Sequence, residues 1–192
     1  MSLLVGAASN AGGGYNLENS LRFRSSATAY LSRTPTVAGN RKTWTWSAWV
    51  KRGALTTTQH IMMAGTSGVN DTGIYLSASR DDIGFYTRTS STIQGFLITT
   101  AIYRDPSAWY HLVFVYDSPQ ATASNRMKLY VNGEQITTFN TETYPAQNTD
   151  SYCNATSILN TIGSSSVPSY SFDGYLTEIN FVDGQALTPS DF

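Results

Sequence analysis

Acidic side chains are the first residues of this chain that could perform chemistry. Glycoside hydrolysis uses two carboxylates about 5 to 9 Å apart, one as acid and one as nucleophile or base. Carboxylates at alternate strand positions, as in a Glu-x-Asp-x-x-Glu run, would place such a pair on one face. The chain has no such run, and its candidate acids stand apart in sequence: Glu134, Asp173, Glu178 and Asp183. We therefore predict no catalytic residues and no enzyme, with Glu178 as the only reasonable acid if a glycosidase activity exists.

Histidine and cysteine, the usual partners in nucleophilic catalysis, are scarce. The chain has two histidines, His60 and His111, and a single cysteine, Cys153. No Gly-x-Ser-x-Gly elbow accompanies either histidine, so we interpret both as structural. Cys153 lies in the polar stretch TDSYCNATS and is interpreted as a passive thiol. One cysteine also excludes an intrachain disulfide.

Calcium binding is an alternative that the sequence leaves open. Ca²⁺ takes several oxygen ligands from carboxylates, amides and backbone carbonyls. Such groups occur at successive hairpin ends and in one long loop: Asn70-Asp71, Asp81-Asp82, Asn148 and Asp150. No spaced Asp-x-Asp motif is present, and Asn and Asp favour turns for conformational reasons alone. We assign no cofactor and leave the metal ligands unknown, with calcium as the candidate.

Tyrosine is the residue type that could hold a saccharide. Sugar sites place exposed aromatic rings beside amide and carboxylate groups. Six of the twelve tyrosines are candidates by type: Tyr75, Tyr86, Tyr103, Tyr144, Tyr152 and Tyr170. The sequence does not distinguish a protruding ring from one that fills a core or an interface.

The elements that must position these residues are β-strands. Apolar and polar residues alternate in residues 42–52 (KTWTWSAWVKR), which places Trp44 and Trp46 on one face. Further strands are predicted at residues 21–23, 29–31, 61–64, 73–79, 83–89, 95–103, 109–117, 158–163 and 172–182. Asn132-Gly133 predicts a type I′ turn within a hairpin at residues 127–139. Residues 140–154 are predicted to form a long polar connection, and Thr188-Pro189 is predicted to begin a short helical turn.

Short strands separated by turn signals indicate an antiparallel sandwich, so the predicted fold class is all-β. A chain of 192 residues fits one such domain. Its net charge of −1 excludes an electrostatic nucleic-acid or anionic-membrane partner. No apolar run approaches the roughly 20 residues that span a bilayer. The opening MSLLVGAAS has no basic region, so we expect no signal peptide.

Residues 1–20 differ from residues 21–192 and are predicted to be a separate arm. The stretch VGAASNAGGGYN is rich in glycine and alanine and has no sustained period. It is either a floppy terminus or an arm that docks on a partner, and we favour the docked arm.

Three stretches resemble the laminin G-like branch of the concanavalin A-like jelly rolls. Residues 43–51 (TWTWSAWVK) are similar to an early aromatic strand of laminin G-like and pentraxin-like domains. Residues 109–113 (WYHLV) resemble a Trp-x-His-Leu strand of these domains. Residues 128–133 (KLYVNG) resemble their Leu-Tyr-Val-Asn-Gly hairpin. Residues 172–179 (FDGYLTEI) resemble the closing strand. The resemblance implies a two-sheet jelly-roll sandwich that binds more often than it catalyses, and some such domains bind calcium at one rim.

A narrower resemblance concerns bacteriophage structural proteins. The combination of SLRFRSSATAYLSRTP, GNRKTWTWSAWVKRG and DGQALTPSDF is similar to laminin G-like segments of phage fibre and decoration proteins. It implies a non-enzymatic virion protein, either a capsid decoration or fibre component or the base of a tail fibre. The expected partners are capsid, portal or tail proteins held through the arm, host surface glycans, and further copies of the chain in a homo-oligomer. It would be assembled in the host cytoplasm.

Two matters stay open at this point. The alternative function is a free-standing carbohydrate-binding lectin-like module, with or without calcium. Phage relatives of this kind run on beyond a Leu-Thr-Pro-x-Asp-Phe end, so the sequence does not establish whether the native chain continues past Phe192.

Overall fold

The computed structural model describes residues 19–166 and 170–192 as an assembly of thirteen strands. In chain order the strands are β1 (Leu21–Phe23), β2 (Leu31–Arg33), β3 (Thr43–Arg52), β4 (Gln59–Thr66), β5 (Asn70–Leu76), β6 (Ile83–Thr89), β7 (Thr92–Thr99), β8 (Tyr110–Asp117), β9 (Met127–Val131), β10 (Glu134–Gln135), β11 (Phe139–Thr143), β12 (Asn160–Ile162) and β13 (Gly174–Asp183). Single 3₁₀ turns lie at Ser25–Ala27, Ala123–Asn125 and Pro189–Asp191.

The strands form two antiparallel sheets, which confirms the predicted all-β sandwich. The six-stranded sheet has the order β1-β13-β3-β8-β9-β10, and the seven-stranded sheet has the order β11-β7-β6-β5-β4-β12-β2. In the seven-stranded sheet β4, β5, β6 and β7 are joined by successive hairpins, so their alternate residues share one outer face.

Aromatic side chains hold the two sheets together. Trp44 of β3 meets Phe85 of the other sheet edge to face, with ring centroids 5.8 Å apart, and stacks on Tyr116 at 5.7 Å. Phe85 also meets Phe114 at 5.4 Å. All four rings are buried, and such pairs contribute about 0.5–1.5 kcal/mol each beyond the burial of their area. The alternation in residues 42–52 therefore predicted the core face correctly.

Several predicted boundaries need correction. The strand predicted at residues 95–103 is β7, which ends at Thr99, because the chain then turns to bury Tyr103. The connection predicted at residues 140–154 begins with an edge strand, β11, which pairs with β7. The second strand of the predicted 127–139 hairpin is only the two residues of β10.

The predicted turns agree with the structure. Asn132 and Gly133 have φ angles of 51° and 88°, as a type I′ turn requires. Thr188 caps the last 3₁₀ turn, in which its hydroxyl donates to the Asp191 carboxylate at 3.0 Å. Within the described ranges no helix has the length and apolar character needed to cross a membrane. Of the predicted arm, residues 1–18 lie outside the described part of the chain, and Asn19 accepts a hydrogen bond from Thr177 at 2.7 Å.

Candidate functional site

A short sequence pattern builds the most distinctive surface of the molecule. Strands β5 and β6 each carry a Gly-x-Tyr unit, Gly73-Ile74-Tyr75 and Gly84-Phe85-Tyr86. The antiparallel register pairs Tyr75 with Gly84 and Tyr86 with Gly73. Each tyrosine therefore faces a residue without a side chain on the neighbouring strand, and both rings lie on the outer face of the seven-stranded sheet.

The two glycines provide the space in which the rings lie. A Cβ atom at Gly84 would overlap the Tyr75 ring, and one at Gly73 would lie 2.8 Å from the Tyr86 hydroxyl. The rings consequently rest against the backbone of the opposite strand rather than standing away from the sheet. Their centroids are 5.9 Å apart at an angle of 68°. We call this pair the tyrosine floor.

Three further rings border the tyrosine floor. His60 of β4 lies 5.6 Å from Tyr75, and Tyr170 lies 5.6 Å from His60 on the other side. Phe96 of β7 meets Tyr86 edge to face at 6.4 Å. Tyr170 is held by its carbonyl, which accepts a hydrogen bond from the His60 amide at 2.9 Å. Aromatic rings thus come from four neighbouring strands and one loop.

A buried carboxylate anchors the polar end of the tyrosine floor. Asp71 Oδ2 accepts hydrogen bonds from the Tyr86 hydroxyl at 3.1 Å and from the Gly68 amide at 2.9 Å. The second bond closes the β4–β5 turn and fixes the carboxylate at the sheet end. His60 Nε2 lies 3.3 Å from the Tyr86 oxygen. The three side chains form one hydrogen-bonded row.

The protonation state of this row follows from burial. Burial, assisted by the charge of Arg88, lowers the pKa of His60 to about 4. Burial raises the pKa of Tyr75 to about 12, and burial with the neighbouring Asp71 carboxylate raises that of Tyr86 still further. At neutral pH the imidazole and both phenols are therefore uncharged.

Arg88 is the cation of the site. It is the cross-strand partner of Asp71, and its Nε lies 3.7 Å from Asp71 Oδ1, which is too long for a hydrogen bond. Its guanidinium also lies over the Tyr86 ring, 5.2 Å from the centroid. The Asp71 side chain is fully buried, whereas that of Arg88 is one quarter exposed. Arg88 is thus the charged group that solvent or a ligand reaches first.

Together these residues line an open cavity of about 480 Å³ on the sheet surface. Its lining consists of Thr58, His60, Ser67, Gly68, Asp71, Tyr75, Tyr86, Arg88, Ile93, Phe96 and Tyr170. Flat apolar surface beside an acceptor and a cation is an arrangement that binds a small polar molecule with one apolar face. We call this cavity the tyrosine pocket.

The comparison with protein families decides the broader assignment. The family model described as the concanavalin A-like lectin/glucanases superfamily, in its laminin G form, matches residues 24–191. The chain belongs to this superfamily. The predicted laminin G-like membership is confirmed, while the narrower phage resemblance stays a prediction. A search among curated proteins finds no match.

Solved structures of the concanavalin A-like lectin/glucanase fold are similar at low identity. The native heptameric SAP-like pentraxin of Limulus polyphemus aligns with a TM-score of 0.57 and 20% identity over 83% of this chain and 71% of its own. The Ruminococcus gnavus IT-sialidase CBM40 bound to α2,3-sialyllactose gives 0.56 and 15% over 84% and 95%. Domains LG4-5 of the mouse laminin α1 chain give 0.62 and 12% over 94% and 47%. These likenesses establish the fold.

Of the six candidate tyrosines, three lie in the tyrosine pocket and three lie elsewhere in the fold. Tyr75, Tyr86 and Tyr170 come together in the tyrosine pocket. Tyr103 is buried against Tyr110, with ring centroids 5.4 Å apart. The other two, Tyr144 and Tyr152, are half-buried and pack against the core.

The candidate calcium ligands lie in separate places. Asp71 lies at the start of β5 and Asp81 in the turn after its end, and the strand extends about 17 Å from Asp71 to Leu76 at roughly 3.4 Å per residue. Asp81 is enclosed by Arg52 at 2.8 Å and Arg104 at 3.0 Å, and Asp150 lies 3.3 Å from Arg41. Within the described ranges, no three His, Cys, Asp or Glu side chains converge as metal ligands would. The arginines take the place that a cation would occupy around Asp81.

The candidate catalytic acids are also far apart. Asp173 precedes β13, Glu178 lies in the bulge of that strand and Asp183 ends it, so neighbours are about 16 Å apart along the strand. Asp173 is paired with Arg22 at 2.8 Å. Glu134 lies on β10 at the opposite edge of the sheet. These spacings exceed the roughly 5 to 9 Å that glycoside hydrolysis uses.

The remaining candidates lie away from the tyrosine pocket. His111 Nε2 lies 3.1 Å from the Ser47 hydroxyl, and its ring stacks on Trp49 at 5.0 Å on the outer face of the other sheet. Cys153 is fully buried, although its neighbours in sequence are polar, and burial raises the pKa of its thiol. A thiol held in its protonated form is a poor nucleophile.

The sequence prediction of site residues was incomplete. It interpreted His60 as structural, considered Asp71 only as a calcium ligand, and did not consider Arg88 or Phe96. The repeated Gly-x-Tyr unit at residues 73–75 and 84–86 was the available signal. On two antiparallel strands joined by a hairpin, that repetition places each ring opposite a glycine.

Proposed function

We propose that this protein is a lectin-like module that binds a saccharide in the tyrosine pocket. The observation that carries the proposal is the tyrosine floor, made of Tyr75 and Tyr86, beside the buried Asp71 carboxylate and the partly exposed Arg88 guanidinium. A pyranose has an apolar face of C–H groups and a rim of hydroxyls. The floor would contact the C–H face, and the polar groups would bind the rim.

The comparisons support this function more than the virion function that the sequence suggested. A similar domain, the Ruminococcus gnavus IT-sialidase CBM40, is described bound to α2,3-sialyllactose. The predicted attachment to a particle depends on residues 1–20, of which only Asn19 and Ser20 lie in the described part. Particle attachment, homo-oligomerisation and a calcium dependence therefore stay predictions. The proposed mechanism is binding without turnover.

A glycan screen followed by calorimetry tests the proposal. We expect the wild-type chain to bind at least one saccharide, and Tyr75→Ala to weaken that binding by tenfold or more, because a central aromatic contact is typically worth at least about 1.4 kcal/mol. Tyr30→Ala is the matched control, since Tyr30 is a half-exposed ring outside the pocket and its loss should change affinity less than twofold.

Two outcomes would contradict the proposal. One is a wild-type protein that binds no saccharide in the screen. The other is a Tyr75→Ala variant that stays folded by circular dichroism and binds as tightly as the wild type.

A further inference from the structure

The tyrosine pocket carries no net charge at neutral pH. Among the described residues that line it, the ionised side chains are Asp71 and Arg88, which are cross-strand partners and cancel each other. His60 has its pKa lowered to about 4 by burial, so its imidazole is neutral. Both tyrosines of the floor have raised pKa values and stay protonated. Asp82, which contributes to raising the pKa of Tyr75, is itself paired with Arg80 at 3.8 Å.

The direction of each hydrogen bond in the row can be assigned. The Tyr86 hydroxyl has one proton, which it donates to Asp71 Oδ2. The Tyr86 oxygen must therefore accept from His60, which places the imidazole proton on Nε2. His60 Nδ1 is then an unprotonated acceptor, and it has no hydrogen-bond partner in the described structure.

Two acceptors and one donor group are thus left open. Asp71 Oδ1, like His60 Nδ1, is buried and accepts no hydrogen bond from any described residue. Arg88 contacts the pocket through its ion pair and its position over the Tyr86 ring. A buried polar group without a partner is costly, so these atoms favour a ligand that supplies the missing hydrogens.

From this geometry we infer that the tyrosine pocket selects neutral saccharides over acidic ones. This inference rests on the proposed function. A sugar hydroxyl both donates and accepts, so adjacent hydroxyls satisfy Asp71 Oδ1 or His60 Nδ1 while accepting from Arg88. A carboxylate only accepts. In the position of those hydroxyls it could use Arg88, but it would leave the acceptors there unfilled and would place a second negative charge beside Asp71.

Access to the Asp71 oxygen depends on Arg88. The arginine side chain is one quarter exposed and its Nε lies 3.7 Å from Asp71 Oδ1, beyond hydrogen-bond distance. A ligand hydroxyl that enters between the two charges gains an acceptor on one side and a donor on the other. Asp71 and Arg88 together therefore select a neutral ligand.

The test compares neutral saccharides with acidic counterparts: the glucose and galactose pairs differ at C6 alone, whereas sialyllactose adds an acidic sugar to lactose. Calorimetry with wild-type protein would use lactose against α2,3-sialyllactose, and the methyl glycosides of glucose and galactose against the corresponding uronic acids. We expect the neutral member to bind at least tenfold more tightly in every pair for which binding is measured. An acidic member that binds as tightly or more tightly would overturn the selection while leaving the proposed function intact. Binding of neither member in any pair would overturn the selection, and together with a glycan screen that finds no ligand it would overturn the proposed function itself.

Two variants show whether the charge balance is responsible. Asp71→Asn keeps the shape but removes the negative charge, so affinity for the acidic member should rise by tenfold or more relative to the neutral member. Arg88→Gln removes the positive charge and leaves only a shorter neutral amide donor, so it should weaken both members of a pair. If Asp71→Asn does not fold, Arg88→Gln alone decides: a loss confined to acidic saccharides would overturn the inference.

Discussion

The outer faces of the two sheets contain similar residues, but only one of them is covered by the chain. Each carries a histidine against an aromatic ring, His111 on Trp49 at 5.0 Å and His60 near Tyr75 at 5.6 Å. Burial lowers the pKa of both histidines. On the six-stranded sheet, however, the chain itself covers this face, whereas the seven-stranded sheet presents the tyrosine pocket.

The cover consists of residues 185–192. The Thr45 hydroxyl donates to the Gln185 carbonyl at 2.8 Å and accepts from the Leu187 amide at 2.9 Å. At the other end, the Phe192 ring meets His111 at 6.5 Å. On the same face Val113, Val115 and Tyr130 form a second apolar cluster, and Val115 is the cross-strand partner of Thr45. An apolar sheet face is thus sealed by the chain, while an aromatic face built on glycines is left with room for another molecule.

Removing the cover is the largest perturbation of this contrast. Deleting residues 185–192 exposes Val113 and Val115, and two buried valines contribute about 3 to 5 kcal/mol to the free energy of unfolding. We expect urea denaturation to show a loss of that size. Thr45→Val keeps the cover but removes both of its hydrogen bonds, and should cost about 1–3 kcal/mol.

Saccharide binding in the tyrosine pocket should not change in the Thr45→Val variant. An unaltered free energy of unfolding after the deletion would show that residues 185–192 do not protect the six-stranded sheet. A parallel loss of saccharide binding would show that the two faces are not independent.

The next largest effect concerns His60 and pH. Its pKa is about 4 in the folded chain and 6.5 when unfolded, so the unfolded state binds more protons between these values. Stability is therefore fully present above pH 6.5 and is lost as the pH falls towards 4, by up to about 3 kcal/mol. His60→Gln, which keeps a donor to Tyr86, should remove this part of the pH dependence.

Urea denaturation at pH 7 and pH 4.5 of wild type and variant provides the measurement, because carboxylates titrate equally in both. His111→Gln is the matched control and should change the pH dependence less, since burial alone lowers the pKa of His111 whereas the charge of Arg88 adds to the effect at His60. Identical pH profiles for wild type and His60→Gln would contradict the buried, neutral imidazole.

The contrast also explains which features the sequence predicted. The core face of β3 was predictable because Trp44 and Trp46 alternate with polar residues, and a period of two specifies a face directly. The Asn132-Gly133 turn was predictable because few residue pairs tolerate two positive φ angles. Both signals are local, so no knowledge of distant contacts was needed.

The tyrosine pocket depends on contacts that local patterns do not encode. Asp71 and Arg88 are 17 positions apart in sequence and meet only through the β5–β6 register. Cys153 lies among polar residues yet is fully buried, because its loop folds over the core. A tyrosine in a strand predicts a ring on one face, but whether that face is covered depends on segments elsewhere in the chain.

The smallest expected effect tests whether glycine creates the difference between the faces. A Cβ atom at Gly84 would overlap the Tyr75 ring, so Gly84→Ala should displace the ring, cost about 1–3 kcal/mol of stability through overpacking, and weaken saccharide binding. In a Tyr75→Ala background the ring is absent, and Gly84→Ala should instead be neutral or slightly stabilising, because alanine restricts the unfolded chain more than glycine does.

Urea denaturation of the four proteins in this double-mutant cycle measures the coupling between Gly84 and Tyr75. A coupling near zero would mean that the ring position does not depend on Gly84, and that the open face has another cause. A coupling of the expected sign would show that the glycine opposite a tyrosine creates the space in which the ring lies.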